Sequence, residues 1–295
     1  MNGILIIDKP AGITSHDVVY RVRRALKTKR VGHTGTLDPF ATGVMVVLVG
    51  QATRLAQFLD KDEKEYVADV RFGFETMTGD RTGERRLGGR ESRRQGELSQ
   101  VEIEAVLPRF RGEIEQVPPM YSAKKVDGKK LYELARKGET IERKAVKVNI
   151  SNLEITSEIR LTDLGIRVRC SAGTYIRTLA EDIARAAGSA AHLAELRRTA
   201  AGSFTIDQAI TLDELQQLDD PTSALTPMET AVAHLPEFVL REDRVAKTRN
   251  GMSTRTFDVE FAENEPIRMT TESGELVAIG YYNDTEKVVQ PKIVL

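Results

Sequence analysis

Residues 3–7, Gly-Ile-Leu-Ile-Ile, and residues 44–49, Val-Met-Val-Val-Leu-Val, are short apolar runs rich in β-branched side chains, and they constrain the fold more than any other feature. The first reads as a buried strand, the second as an apolar strand. Each adjoins a turn: Asp8-Lys9-Pro10-Ala11-Gly12 follows the first, and glycine-rich residues 32–43 precede the second. Chemistry is expected where reactive side chains sit in turns at strand ends. A chain of 295 residues with 40% hydrophobic content can bury a real core and exceeds the usual size of one domain, so one large and one small domain are expected.

Charge and cysteine content exclude several classes. Lys and Arg total 43 against 44 Asp and Glu, so the chain does not coat nucleic acid through net charge, and any RNA contact needs local positive charge. The single cysteine, Cys170, excludes a disulfide framework, a cysteine zinc cluster and a Cys-x-x-Cys redox pair. No basic leader precedes residues 4–7, and 44–49 is far too short to span a bilayer, so a soluble cytoplasmic protein is expected, with no membrane partner.

From Ser15, read as an N-cap, the pattern is helical, with Val18, Val22, Ala25 and Leu26 on one face. Arg21, Arg23, Arg24, Lys27, Lys29 and Arg30 crowd the remainder, either a solvated face or a phosphate-binding strip. A short helical stretch at 55–59 and a strand at 66–74 follow. Residues 76–97, with five glycines and little apolar content, read as a mobile surface loop without a core. A helix is expected from near Ser99, an extended connection at 117–121, a strand at 166–170 and a helix over 179–187 ending at Gly188. Residues 124–147 hold nine basic side chains with Tyr132 among them, which suits a flexible lobe following an RNA backbone or a solvated hairpin. Asp219-Asp220-Pro221-Thr222 and Pro227 break the pattern, and short β-like pieces follow Pro236. This places a boundary near 230 and a small β-barrel beyond it.

The densest collection of reactive side chains is Gly32-His33-Thr34-Gly35-Thr36-Leu37-Asp38-Pro39, followed by Ala41, Thr42 and Gly43. Glycines let a substrate approach the backbone while a carboxylate and an imidazole flank it; equally, Asp-Pro among glycines is an ordinary turn. Two look-alikes fail on the residues. Phosphoryl transfer through Asp-Lys-Thr-Gly-Thr needs its aspartate where Gly32 stands and its lysine where His33 stands. A His-x-Gly-His nucleotidyl transferase needs a histidine at Thr36. No P-loop or dinucleotide fingerprint is complete elsewhere.

Five separated strings, in order, resemble the TruB family of tRNA pseudouridine synthases. They are residues 8–15 (Asp-Lys-Pro-Ala-Gly-Ile-Thr-Ser), 32–43, 116–123 (Gln-Val-Pro-Pro-Met-Tyr-Ser-Ala) with Gly128, Leu131, Tyr132, Ala135 and Arg136, 171–179 (Ser-Ala-Gly-Thr-Tyr-Ile-Arg-Thr-Leu), and 196–199 (Leu-Arg-Arg-Thr). The resemblance covers about the first 210 residues. It implies Asp38 as the catalytic aspartate, Arg177 as its ion-pair partner, and Tyr66 stacked on the target base. It further implies Tyr175 and Leu196 in the pocket walls, His33 in contact with the RNA loop, and Lys9 supporting the active-site turn. Where the family shows Thr-Asp-Thr-x-Asp, this chain has Thr76-Met77-Thr78-Gly79-Asp80, so one acid is missing and Asp80 receives no role.

The implied fold is α+β: a mixed, largely antiparallel sheet with flanking helices over 1–230, including a basic RNA-gripping lobe around 121–148. A PUA-like barrel over 231–295 completes it. The implied reaction isomerises uridine at position 55 in the tRNA T loop, by a monomer acting on the T arm without metal or cofactor. Isomerisation oxidises nothing and donates no group, so the lack of cofactor motifs agrees with it. The carboxylate has three open routes: attack on C1′, addition to the base, or removal of the 2′ proton. A non-catalytic RNA-binding or tRNA-folding protein on the same fold is the alternative.

Overall fold

The computed structural model describes residues 1–59, 62–87, 98–122, 124–126, 128–160, 162–256 and 261–295. Among these, ten strands form one mixed sheet: β1 (Gly3–Lys9), β2 (Val31–Thr34), β3 (Thr42–Val49), β4 (Lys64–Phe72), β5 (Gly112–Gln116), then, beyond the two-residue hairpin β6 (Lys125–Val126) and β7 (Lys129–Lys130), β8 (Val146–Ile155), β9 (Asp163–Cys170), β10 (Ala191–Ala201), β11 (Phe204–Thr205) and β12 (Ile210–Thr211). Their order is β12-β1-β3-β10-β4-β9-β8-β5, with β2 beside β3 and β11 beside β10. Only β1 with β12 and β3 with β10 run parallel.

The two apolar runs pair with each other, antiparallel, from Gly3 opposite Val49 to Lys9 opposite Gly43. Side chains alternate across a strand, so each run feeds two cores. Leu5, Ile7, Met45 and Val47 pack on Val18, Val19 and Val22 of α1 (Ser15–Ala25), while Ile4, Ile6, Val44, Val46 and Leu48 face Leu55 and the short helix α2 (Ala56–Leu59). Each such side chain, fully buried, contributes about 1.5–3 kcal/mol. A third core joins α3 (Gln100–Val106) and α5 (Ile176–Ala186) to β4, β9 and β10 through Ile103, Leu179, Ile183, Val70, Val168 and Leu193. Helix α4 (Leu131–Ala135) lies in the basic lobe and α6 (Leu212–Gln217) packs beside α1.

Two local expectations are corrected. The N-cap of α1 is Thr14, not Ser15: the Thr14 hydroxyl accepts from the Asp17 N–H at 3.1 Å, and the Asp17 carboxylate accepts from the Thr14 N–H at 2.8 Å. Ser15 is thereby released to bond elsewhere. Residues 76–86 are not a loose loop. Thr76 and Asp80 are buried, the Arg81 N–H donates to the Leu193 carbonyl at 2.8 Å, and the Leu193 N–H donates to the Gly79 carbonyl at 3.0 Å. Little apolar content is needed because the turn satisfies its own polar groups: Asp80 Oδ1 accepts from the Thr78 hydroxyl and from both N–H and hydroxyl of Thr82. The remainder of that expected loop, 88–97, lies outside the described residues, as does Ala123 at the end of the 116–123 string.

Past residue 236 the chain forms a second sheet, curled as a half-barrel, from β13 (Glu237–Val239), β14 (Thr254–Arg255), β15 (Pro266–Thr270), β16 (Leu276–Asn283) and β17 (Val288–Val294), with α7 (Glu242–Arg249) alongside. Ile267, Met269, Val277 and Tyr282 form its own core, whereas Leu276, Ile279 and Ile293 join the cluster containing Leu55 and Leu59. The second sheet is thus docked through apolar contact. No helix among the described residues is long and apolar enough to cross a membrane.

Candidate active site

The turn between β2 and β3 carries Asp38, and side chains from three neighbouring elements hold it. Lys9, fully buried at the end of β1, donates Nζ to the carbonyls of Ala41 at 2.7 Å, Pro10 at 3.0 Å and Pro39 at 3.3 Å. Burial lowers its pKa to about 8, against the opposing pull of Asp38. The Ser15 hydroxyl accepts from the Leu37 N–H at 3.0 Å and donates to the Leu37 carbonyl at 3.1 Å. Arg198, 1% exposed on β10, donates Nε to the Val44 carbonyl at 2.6 Å and Nη2 to the Gly35 carbonyl at 2.9 Å. Gly43 is required where β3 meets β10: its φ is +101°, and a Cβ there would lie 2.1 Å from the Arg198 carbonyl oxygen.

Arg177, in the first turn of α5, meets Asp38 with two nitrogens, Nε to Oδ2 at 2.8 Å and Nη2 to Oδ1 at 3.2 Å. It also donates Nη1 to the Thr78 carbonyl at 2.6 Å and Nη2 to the Tyr121 carbonyl at 2.7 Å. Four acceptors on three segments leave the guanidinium one orientation. Arg177 is buried, while the Asp38 side chain keeps 33% of its surface open. Burial pushes the Asp38 carboxyl up; Arg177 opposes this, Asp80 adds to it, and Lys9 opposes it more weakly.

Asp38 opens into a cleft of about 300 Å³ whose walls include Lys64, Tyr66, Tyr175, Leu196 and Arg198. Tyr66 lies on β4; burial pushes its phenol up, and the charge of Arg198 opposes this. Tyr175 precedes α5, its N–H donating to Gln116 Oε1 at 2.7 Å and its carbonyl accepting from Gln116 Nε2 at 3.0 Å. The larger cavity behind Arg177, about 470 Å³, and the cleft of about 940 Å³ on the second sheet lack Asp38 among their walls. Among the described residues, no three His, Cys, Asp or Glu side chains converge as metal ligands.

Asp38, Arg177, Tyr66, Tyr175 and Leu196 therefore meet in one cleft, with Lys9 behind the turn. His33 does not line the cleft: it sits on β2 with its ring 6.1 Å from that of His16, edge to face, and burial lowers its pKa. Sequence reasoning gave no site role to Lys64, Arg198, Gln116 or the Thr78 carbonyl, and read Ser15 only as an N-cap. Alternation along strands held a signal for two of them, since Lys64 shares a face with Tyr66 and Arg198 with Leu196.

Family models match in two adjoining segments: a TruB family pseudouridylate synthase N-terminal domain over 23–176 and a tRNA pseudouridylate synthase B C-terminal domain over 177–233. A tRNA pseudouridine synthase B from Bacillus pumilus is 41% identical over 100% of this chain and 98% of its own length, and one from Solibacter usitatus is 44% identical over 95% of each. Among solved structures, a chain of a Cbf5-Nop10-Gar1 complex superposes with a TM-score of 0.76 at 29% identity, over 99% of this chain and 84% of that one. The strings and the sheet agree with these matches, and the chain belongs to the TruB family of pseudouridylate synthases.

Proposed function

We propose that the protein isomerises uridine to pseudouridine at position 55 in the T loop of tRNA, with Asp38 as the essential carboxylate. The observation that carries this reading is the two-nitrogen grip of Arg177 on an Asp38 that still opens into an aromatic-walled cleft. A fixed cation favours the ionised carboxylate against the burial that pushes its pKa up, and directs it, as a nucleophile and a base both require. The C1′–N1 bond breaks, the freed base turns within the cleft, and C5 joins C1′ while the C5 proton leaves and N1 gains one. Asp38 enters by attack on C1′, by addition to the base, or by taking the 2′ proton, and the same geometry serves all three.

The target base leaves its stack, at a few kcal/mol, to reach Asp38. Tyr66 stacks on it, with Tyr175 and Leu196 as the remaining walls. His33 contacts the RNA outside the cleft, and Lys9 supports the turn. Arg21, Arg24 and the lobe around 121–148 follow phosphates of the T arm. Residues 231–295 form a PUA-like RNA-binding domain against the catalytic domain, 1–230. All these groups belong to one chain, which supports action as a monomer, and a lone buried cysteine suits the cytoplasm.

Incubation with unmodified tRNA, followed by nucleoside analysis and mapping, tests the reading. Pseudouridine at position 55 from the wild type and none from Asp38→Ala is expected. Binding without product refutes the enzymatic assignment, product elsewhere refutes the position, and equal product from the variant removes Asp38 from the chemistry.

A further inference from the structure

Next to the cleft, but outside its walls, lies a closed network of charges. Glu75 is 3% exposed, and its carboxylate is divided between two arginines: Arg185 Nε is 2.8 Å from Oε1 and Arg86 Nη1 is 2.7 Å from Oε2. Arg185, on α5, also meets Glu181 at 2.8 Å and Asp182 at 3.0 Å. Arg86 reaches Glu181 at 3.6 Å and donates to the Thr76 carbonyl at 3.3 Å. A buried carboxylate is tolerated only while its partners stay in place, so the cluster fixes the 75–86 turn relative to α5.

That turn touches Arg177 directly. The Thr78 carbonyl accepts from Arg177 Nη1, and Gly79, at φ +75°, passes so close that a Cβ would lie 3.3 Å from Arg177 Cβ and 3.2 Å from Glu181 Oε1. Arg177 and Arg185 occupy the same helix, so the network and the cleft share both α5 and the turn.

We infer that Glu75, through Arg185 and Arg86, is a positioning residue for the isomerisation: it locks the 75–86 turn against α5, the Thr78 carbonyl then holds Arg177, and Arg177 aims Asp38. The inference rests on the function proposed above. Neither Glu75 nor its two arginines line the Asp38 cleft, so the effect passes through Arg177.

The charges facing Asp38 are Arg177, Asp80 and Lys9. If Arg177 slackens, burial and Asp80 meet less opposition, and Asp38 takes up its proton at a higher pH. Glu75→Gln keeps the shape and removes the charge. Single-turnover kcat is expected to fall about ten- to a hundredfold, as small misplacements of reacting groups cause, with KM for tRNA within roughly twofold. The acid limb of the rate profile moves to higher pH, Glu75→Asp restores part of the rate, and Gly79→Ala repeats the defect. An unmoved acid limb, or a rate loss that only follows a loss of folded protein by circular dichroism, overturns the inference. Carbon-13 titration of the Asp38 carboxyl, assigned with Asp38→Asn, reads the same link without turnover. A midpoint raised by Glu75→Gln supports the positioning and an unchanged one overturns it, whereas absence of product from the wild type refutes the proposed function alone.

Discussion

Two turns meet at Arg177, and they are built differently. The turn carrying Asp38 is held from outside: Lys9 from β1, Ser15 from α1 and Arg198 from β10 bond its backbone, and its own side chains contribute little to its shape. The turn at 75–86 is held largely from within, by Thr76, Thr78 and Thr82 around Asp80, and then clamped by Glu75 and Arg86. External scaffolding leaves the Asp38 carboxylate free to face the cleft. Internal scaffolding suits a turn whose task is to offer a carbonyl to a cation.

The contrast can be broken by substitution. Asp38→Asn removes the charge that faces the cleft, so kcat should fall by about 10⁴-fold or more, as when an essential catalytic group is lost, while circular dichroism stays near wild type and melting falls because buried Arg177 loses its counter-charge. Arg177→Lys replaces a planar fork by a point charge that cannot serve both Asp38 oxygens and two carbonyls. A loss of about a hundredfold in kcat is expected, and retention of full rate would show that the fork is dispensable.

Lys9→Met strips a buried donor from three carbonyls and should destabilise by about 1–3 kcal/mol in urea unfolding at neutral pH. Lys9 also has a pH signature. Its folded pKa, about 8, is below the ordinary lysine value of 10.5, so the unfolded chain binds more protons between those values. Its contribution therefore improves as pH rises through that window and is lost as pH falls back through about 8, and Lys9→Met should lack this slope. Smallest are the single hydroxyls. Ser15→Ala and Thr82→Val should each cost about 1 kcal/mol, but only Ser15→Ala, which acts on the Asp38 turn, should also lower kcat. Equal effects on rate would erase the distinction between the turns.

The strand pair that frames the site was legible in the sequence because unbroken apolar runs have few other uses, and the helix from Ser99 because its capping box, Ser99 with Glu102, lies within four consecutive residues. Ser15 shows where local reading fails. Both Thr14 and Ser15 suit an N-cap, and the choice was made by Leu37, a residue on another turn with which Ser15 exchanges two hydrogen bonds. Residues 75–86 failed for a related reason. Composition sees charges and glycines, whereas burial of that turn depends on Arg185 and Leu193 arriving from distant strings.

By itself the sequence determined the buried strands, the glycine-rich turn between them and the family strings that single out Asp38, because these depend on residue type and short spacing. Only the tertiary structure decided that Arg177, which the family strings imply as the partner of Asp38, also reaches Thr78 and Tyr121, that Arg198 and Lys64 join the cleft walls, and that His33 stays outside them. Each of those depends on side chains brought together from remote segments, and no local spacing encodes the distance between them.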